Sequence, residues 1–265
     1  MQSDKPVTVI TGGSKGIGRA CALALARRGD TVVIAARGRD DLDATAELIC
    51  SEGGSVQAMQ VDISIAAQVQ ALFEKIDQLF GGLRWLVNCA AVLGPLRPLT
   101  EVSIEAWSQT LAINLTGTYL CCGYAARAMA RLGGGAIVNF TSGLARSVLT
   151  PFGAYSVSKA GVDILTRYLA AEMASLGIRV NAVSPGLIDT PMQAHIRSKD
   201  PALIGEEVHQ RFVRFKEEGQ LKSPDDVAQL VAFLTSPASS HINGKIGGPS
   251  DYAALGWLRA AEGNS

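Results

Sequence analysis

This chain has no excess of charge of either sign. Its 265 residues carry 24 Lys plus Arg against 24 Asp plus Glu. A net charge of zero removes the electrostatic drive toward nucleic acid or anionic lipid, so neither is expected as a partner. It also leaves little protection against self-association. Long apolar runs are missing as well. No segment approaches the roughly 20 apolar residues that span a bilayer, and MQSDKPVTVITGG at the start reaches its glycines too soon to read as a secretory leader. Cysteine is scarce and odd in number: Cys21, Cys50, Cys89, Cys121 and Cys122 match neither a zinc spacing nor a disulfide framework. Free thiols predict a reducing compartment, hence a cytoplasmic location. His195, His209 and His241 are scattered, with no second ligating group at helical spacing, so no metal is expected. Internal repeats, low-complexity tracts and linkers are missing too, and the chain is read as one domain.

The apolar content is ample. Hydrophobic residues make up 48% and charged residues 18%, a composition that supports a packed core. Short β-rich runs alternate with helical periodicity nearly throughout. Strands are predicted at 7–11, 31–36, 55–61, 85–90, 136–142 and 178–185, each read as apolar on both faces, as a buried parallel sheet requires. Between them, Ile17, Cys21, Ala24 and Leu25 form one helical stripe, and Val69, Leu72, Phe73, Ile76 and Phe80 another. Ser223 is placed to cap a helix opening Pro-Asp-Asp, with Val227, Leu230, Val231 and Leu234 facing inward. Such alternation predicts an α/β fold, a doubly wound parallel sheet with helices on both faces. The rhythm breaks at about 187–222, a polar, helix-prone excursion read as a substrate-binding segment or lid.

TGGSKGIG at 11–18 follows the first strand and opens the first helix. Glycines at 12, 16 and 18 let the backbone approach a pyrophosphate at a helix N-terminus, the mark of a Rossmann-type dinucleotide site. The end of the second strand should meet the adenosine ribose. An Asp or Glu there would accept from a 2′-hydroxyl, but the chain offers Ala36 then Arg37, with Lys15 in the glycine loop. That pattern favours NADP(H) over NAD(H). Asp62, after the third strand, is placed to accept from the adenine amino group.

GAYSVSKAG at 153–161 sets Tyr155 and Lys159 one helical turn apart on a common face. Ser142 ends the fifth strand at the carboxyl edge, where open α/β sheets bind ligands. Reduction of a ketone develops negative charge on the carbonyl oxygen, and two hydroxyl donors aimed at it would stabilise that charge. One of them must supply a proton. A nearby ammonium is expected to lower the phenol's pKa toward the working range.

TGGSKGIG, VDIS, NCAA, INLTG, Ser142, YSVSK and NAVSPGLIDTPM, in this order, resemble the short-chain dehydrogenase/reductase family over nearly the whole chain. The resemblance implies Tyr155 as general acid/base, Ser142 as the carbonyl-orienting hydroxyl, and Lys159 as ribose binder and pKa-lowering cation. Asn114 would complete the set by holding a water for proton relay. It further implies Gly12, Ser14, Lys15, Gly16, Ile17 and Gly18 around the pyrophosphate, Asn88 stabilising the central strand near the cofactor with Ala90 against the adenosine, and Pro185, Gly186, Ile188 and Thr190 toward the nicotinamide. Leu93, Leu144 and Leu149, with Gly94 and Ala145, would line the substrate side. Two features depart from the pattern: Ala91 stands where the family has glycine, and the C-terminus lacks the usual apolar last strand.

The substrate expected is a small hydrophobic or vicinal-dicarbonyl ketone, since DTPMQAHIR and RFKEEGQL resemble the sepiapterin and benzil reductase branch. A 3-oxoacyl-(acyl carrier protein) reductase is the alternative, with Arg127 and Arg131 as a carrier-binding patch. A non-catalytic NADP-binding sensor is the alternative of another class. The family's four-helix contact implies a homodimer or homotetramer.

Overall fold

The computed structural model describes residues 5–257. Seven parallel strands form one sheet: β1 Val7–Thr11, β2 Thr31–Ala36, β3 Ser55–Gln60, β4 Trp85–Asn88, β5 Gly135–Phe140, β6 Ile178–Val183 and β7 Ile246–Gly247. Their order is β3-β2-β1-β4-β5-β6-β7, so the chain reverses its winding between β1 and β4. The crossovers are helical: α1 Gly16–Arg27, α2 Arg39–Ser51, α3 Ala66–Phe80, α4 Ile104–Leu111, α5 Thr118–Arg131 and α6 Gly153–Glu172. Beyond β6 come α7 Pro191–Arg197, α8 Pro201–Ile204, α9 Glu206–Glu217, α10 Pro224–Leu234 and α11 Pro249–Ala253. No described helix is long and apolar enough to cross a membrane.

Alternation along each strand feeds two cores. Val9, Val33, Leu86, Ile137 and Val180 face one layer with Val69, Ile76, Cys121, Cys122 and Leu169 from α3, α5 and α6. Ile10, Ile34, Val87, Val138 and Val183 face the other, with Cys21, Leu25 and Leu230 from α1 and α10. The predicted inner face of α10 is fully buried, and the Ser223 hydroxyl accepts from the Asp225 N–H at 3.2 Å as its cap.

Two strand expectations need correction. β3 is an edge strand with no fully buried residue, because only one neighbour and one side cover it. The last strand does form, though only two residues long. Side chains add to its main-chain ladder. Asn181 donates to the Ile242 carbonyl at 3.0 Å and accepts from the Lys245 N–H at 3.0 Å. The Tyr252 hydroxyl donates to the carbonyls of Ala182 at 2.9 Å and Lys245 at 3.0 Å.

The excursion after β6 is pinned at its base. The Lys222 N–H donates to the Leu187 carbonyl, and the Asp189 N–H to the Lys222 carbonyl, both at 2.9 Å. Three short helices, α7 to α9, therefore rise as one loop from the carboxyl edge of the sheet.

Candidate active site

Two adjoining cavities open at the carboxyl ends of the strands, where the winding reverses. The first, about 430 Å³, runs over the β1–α1 turn to the ends of β2 and β3. Gly12 has φ of +67°, and a Cβ there would lie 2.7 Å from the Ala90 backbone nitrogen. A Cβ on Gly18 would lie 2.1 Å from the Gly12 carbonyl oxygen. The turn thus closes only with glycine at both positions. The N-terminus of α1 carries no side-chain cap, leaving its first-turn N–H groups for a ligand.

Gly12, Ser14, Lys15, Gly16, Ile17 and Gly18 line this cavity, and so do Arg37, Asp62 and Ala90. Lys15 is not a free cation: its ammonium pairs with Asp41 at 2.7 Å. Arg37 is exposed at the end of β2, with no carboxylate in the expected acceptor position. Asp62 accepts from the Ser64 N–H at 2.9 Å and its hydroxyl at 2.6 Å. Partial burial raises its pKa, but those bonds and the nearby Arg37 charge outweigh it, so the carboxyl is held below its ordinary range. A glycine cradle at a helix N-terminus, with Arg37 and Asp62 at the far end of the cavity, fits a dinucleotide.

The second cavity, about 490 Å³, holds Ser142, Tyr155 and Lys159, with Leu144, Leu149, Pro185, Gly186 and Ile188 on its walls. Ile17, Cys89, Ala91, Thr190 and Met192 line both cavities, making them one continuous cleft. Tyr155 and Lys159 lie on the same face of α6, the Lys159 ammonium 5.6 Å from the Tyr155 ring centroid. That ammonium donates to the Phe140 carbonyl at 2.8 Å and is almost fully buried. Burial pushes the Lys159 pKa down to about 8, against upward pulls from Cys89 and Asp163. Burial likewise pushes the Tyr155 phenol up to about 12, with a Ser142 hydrogen bond opposing it. The expected lowering of the phenol's pKa is therefore not met. Desolvation of the phenolate outweighs its partners.

Five predicted residues stand off the cleft walls. Asn88 is buried behind them, donating to Asn139 at 2.9 Å and Cys122 at 3.3 Å, a polar tie between β4 and β5. Asn114 is fully buried with its amide already committed: it accepts from the Val92 N–H and donates to the Val92 carbonyl, both at 2.8 Å, and to the Ser158 hydroxyl at 2.9 Å. Its main-chain carbonyl accepts from the Thr118 hydroxyl at 2.9 Å. The helix takes a wider, π-type turn across Ala112–Gly117, around this residue. The side chain thus locks the strand-4 loop to α6 and has no donor left for a water. Leu93, expected on the substrate side, packs behind the wall with Phe152 and Tyr155, and Gly94 and Ala145 are likewise off the lining.

Sequence reasoning passed over Cys89 and, as individuals, Met192, Arg211, Phe212 and Phe215, which all face the second cavity. The last three come from α9 and were covered only by the general range 187–222. The spacing of Val208, Phe212 and Phe215 was the available signal, an apolar stripe on an otherwise charged helix.

A glycine-cradled cleft with a buried Tyr and Lys at the switch point defines a nicotinamide-type oxidoreductase fold. The family model described as enoyl-(acyl carrier protein) reductase matches residues 12–247. The chain belongs to the short-chain dehydrogenase/reductase family, whose members are carbonyl and alcohol oxidoreductases. It is 39% identical to the cis-4-hydroxycyclohexanecarboxylate dehydrogenase of Sinomonas cyclohexanicum over 91% of this chain and 93% of that protein. Identity to the 3-oxoacyl-[acyl-carrier-protein] reductase of Aquifex aeolicus is 34%, over 91% of this chain and 94% of that one. Among solved structures, the actinorhodin polyketide ketoreductase with NADPH superposes with a TM-score of 0.86 at 29% identity, covering 94% and 97% of the two chains.

Proposed function

We propose that this protein interconverts a ring ketone and its alcohol using NADP(H), with Tyr155 moving the proton. The observation that carries this reading is the placement of Ser142, Tyr155 and Lys159 on one cavity that shares its wall with the glycine cradle. Bound in the cleft, the cofactor supplies or accepts hydride at the carbonyl carbon. The protein does the rest. Ser142 donates its hydroxyl to the substrate oxygen and fixes its position. Tyr155, with a pKa near 12, keeps its proton throughout the neutral range and delivers it to that oxygen as negative charge builds. Lys159 keeps positive charge beside the ring at neutral pH, stabilising the phenolate left behind. A donor this basic favours reduction near pH 7 and makes alcohol oxidation speed up with rising pH. Asn114 holds the loop after β4 in place through its paired bonds to Val92.

The substrate class follows from the walls of the second cavity, which include Leu144, Leu149, Leu187, Met192, Phe212 and Phe215. They suit a compact alicyclic ring, the chemistry in the name of the hydroxycyclohexanecarboxylate relative. That support is broader than the short likeness to the sepiapterin and benzil branch. The acyl-carrier alternative is less well supported, because Arg131 is tied to Asp77 and Arg127 lies over the Tyr124 ring, 5.0 Å from its centroid. Two copies would pair through α5 and α6, whose outward faces carry Tyr119, Ile164 and Tyr168 exposed.

The test is consumption of NADPH and NADH with cyclohexanones, vicinal diketones and 3-oxoacyl thioesters. Cyclohexanone turnover with NADPH preferred is the expected result, and Arg37→Asp should shift the kcat/KM ratio toward NADH by about 10-fold or more, a lost charge-assisted pair. An unchanged ratio contradicts the cofactor assignment, and inactivity with every carbonyl contradicts the redox reading.

A further inference from the structure

The cavity beside Tyr155 contains no carboxylate among its described lining residues, and two cations reach it. Lys159 is one, buried and bonded to the Phe140 carbonyl. The other is Arg211 on α9. Its guanidinium lies 5.5 Å from the centroid of the Phe215 ring and is in no ion pair among the described residues. Glu207, one turn earlier on α9, does not engage it. Stacking on a ring face orients the guanidinium plane without consuming its N–H donors.

The position of Arg211 is coupled to the chemistry through a row of rings. Phe215 packs on Phe212 at 5.7 Å, and Phe212 on Phe152 at 5.7 Å. Phe152 and Phe212 share a buried cluster with Tyr155 itself. The helix carrying the cation is therefore registered against the proton donor by apolar packing, within a cavity whose remaining walls are largely apolar.

We propose that Arg211 is the specificity-determining residue of this cavity and binds a carboxylate on the substrate. Resting on the redox reading above, this narrows the substrate to an apolar ring with a carboxylate remote from the carbon being oxidised or reduced. The planar guanidinium matches a carboxylate through two parallel N–H bonds. A site with two cations and no acid also carries a positive potential that draws anionic substrates in.

The test compares 4-hydroxycyclohexanecarboxylate with its carboxamide, an uncharged analogue of similar size, in the parent, Arg211→Gln and Arg211→Lys. The parent should prefer the carboxylate. In Arg211→Gln the ratio of kcat/KM for carboxylate over carboxamide should fall by about 10- to 100-fold, mainly through KM, as loss of a charged hydrogen bond implies. Arg211→Lys should restore part of that ratio. A parent that shows no preference, or a ratio unchanged in Arg211→Gln, overturns the proposal while leaving the redox reading intact. If neither alcohol is turned over, the redox reading is decided by the carbonyl panel above. Carboxylate binding, followed by quenching of bound NADPH fluorescence, then decides Arg211 separately: weaker binding in Arg211→Gln supports the assignment and equal binding overturns it.

Discussion

Lys159 is the costliest side chain in the cleft. An ammonium held 3% exposed prefers to lose its proton, and its pKa drops from 10.5 to about 8. Between those values the unfolded chain binds a proton that the folded one does not, so stability rises with pH across that window. Below about pH 8 the penalty is present in full. Lys159→Met should therefore be inactive yet more stable than the parent at pH 7, by about 2 kcal/mol. This takes roughly 3 for the pKa shift less about 1 for the lost bond to Phe140. Urea titrations should show that advantage shrinking as pH rises from 8 toward 10.5; an advantage independent of pH would contradict the assignment. The residue types of this site were legible in the sequence, since Tyr155 and Lys159 sit at helical spacing. The sign of the phenol's shift was not, because it depends on how deeply the ring is buried, which spacing does not report. The committed amide of Asn114 was hidden for the same reason, its partners Val92 and Ser158 being 22 and 44 residues away.

Among the elements, the β1–α1 turn carries the most function per residue. Its glycines at 12, 16 and 18 could be read directly, because close backbone approach leaves a compositional mark. Gly18→Ala would drive a methyl into the Gly12 carbonyl, a backbone atom that cannot rotate away. The expected outcome is a folded protein with lower thermal stability and NADPH affinity reduced about 10-fold or more, as displacement of the first-turn N–H groups implies. Unchanged affinity in a fluorescence titration would show that this turn does not hold the cofactor. The edges of the sheet were harder to read. β3 has enough β-propensity to look like a central strand, and its exposure follows only from the strand order. β7 was invisible in pattern because Asn181 and Tyr252, not an apolar run, complete its ladder.

On the scale of the whole molecule, the outward face of α6 is the anomaly. Val157, Ile164 and Tyr168 recur at helical spacing and are 43%, 51% and 64% exposed, and Tyr119 on α5 is 54% exposed. Apolar stripes of this kind mark association surfaces, and a chain of zero net charge does little to oppose them. Sedimentation should find at least a dimer for the parent, and Tyr168→Glu should shift it toward monomer without loss of NADPH binding. A monomeric parent would remove the interface. The fold class, its winding and the location of the cleft were readable from alternating periods and one glycine motif. The shape of the substrate side was not, since it is built by α9, which reaches the cleft through tertiary packing alone.

The central claim is that Tyr155 passes its phenolic proton to the substrate oxygen, and Tyr155→Phe tests it most directly. With NADPH affinity measured by fluorescence and ketone reduction measured on the same preparation, the variant should bind cofactor as the parent does. It should reduce ketone at least about 100-fold more slowly, the scale of a lost general acid. Turnover within a few-fold of the parent, with cofactor bound, would contradict the account.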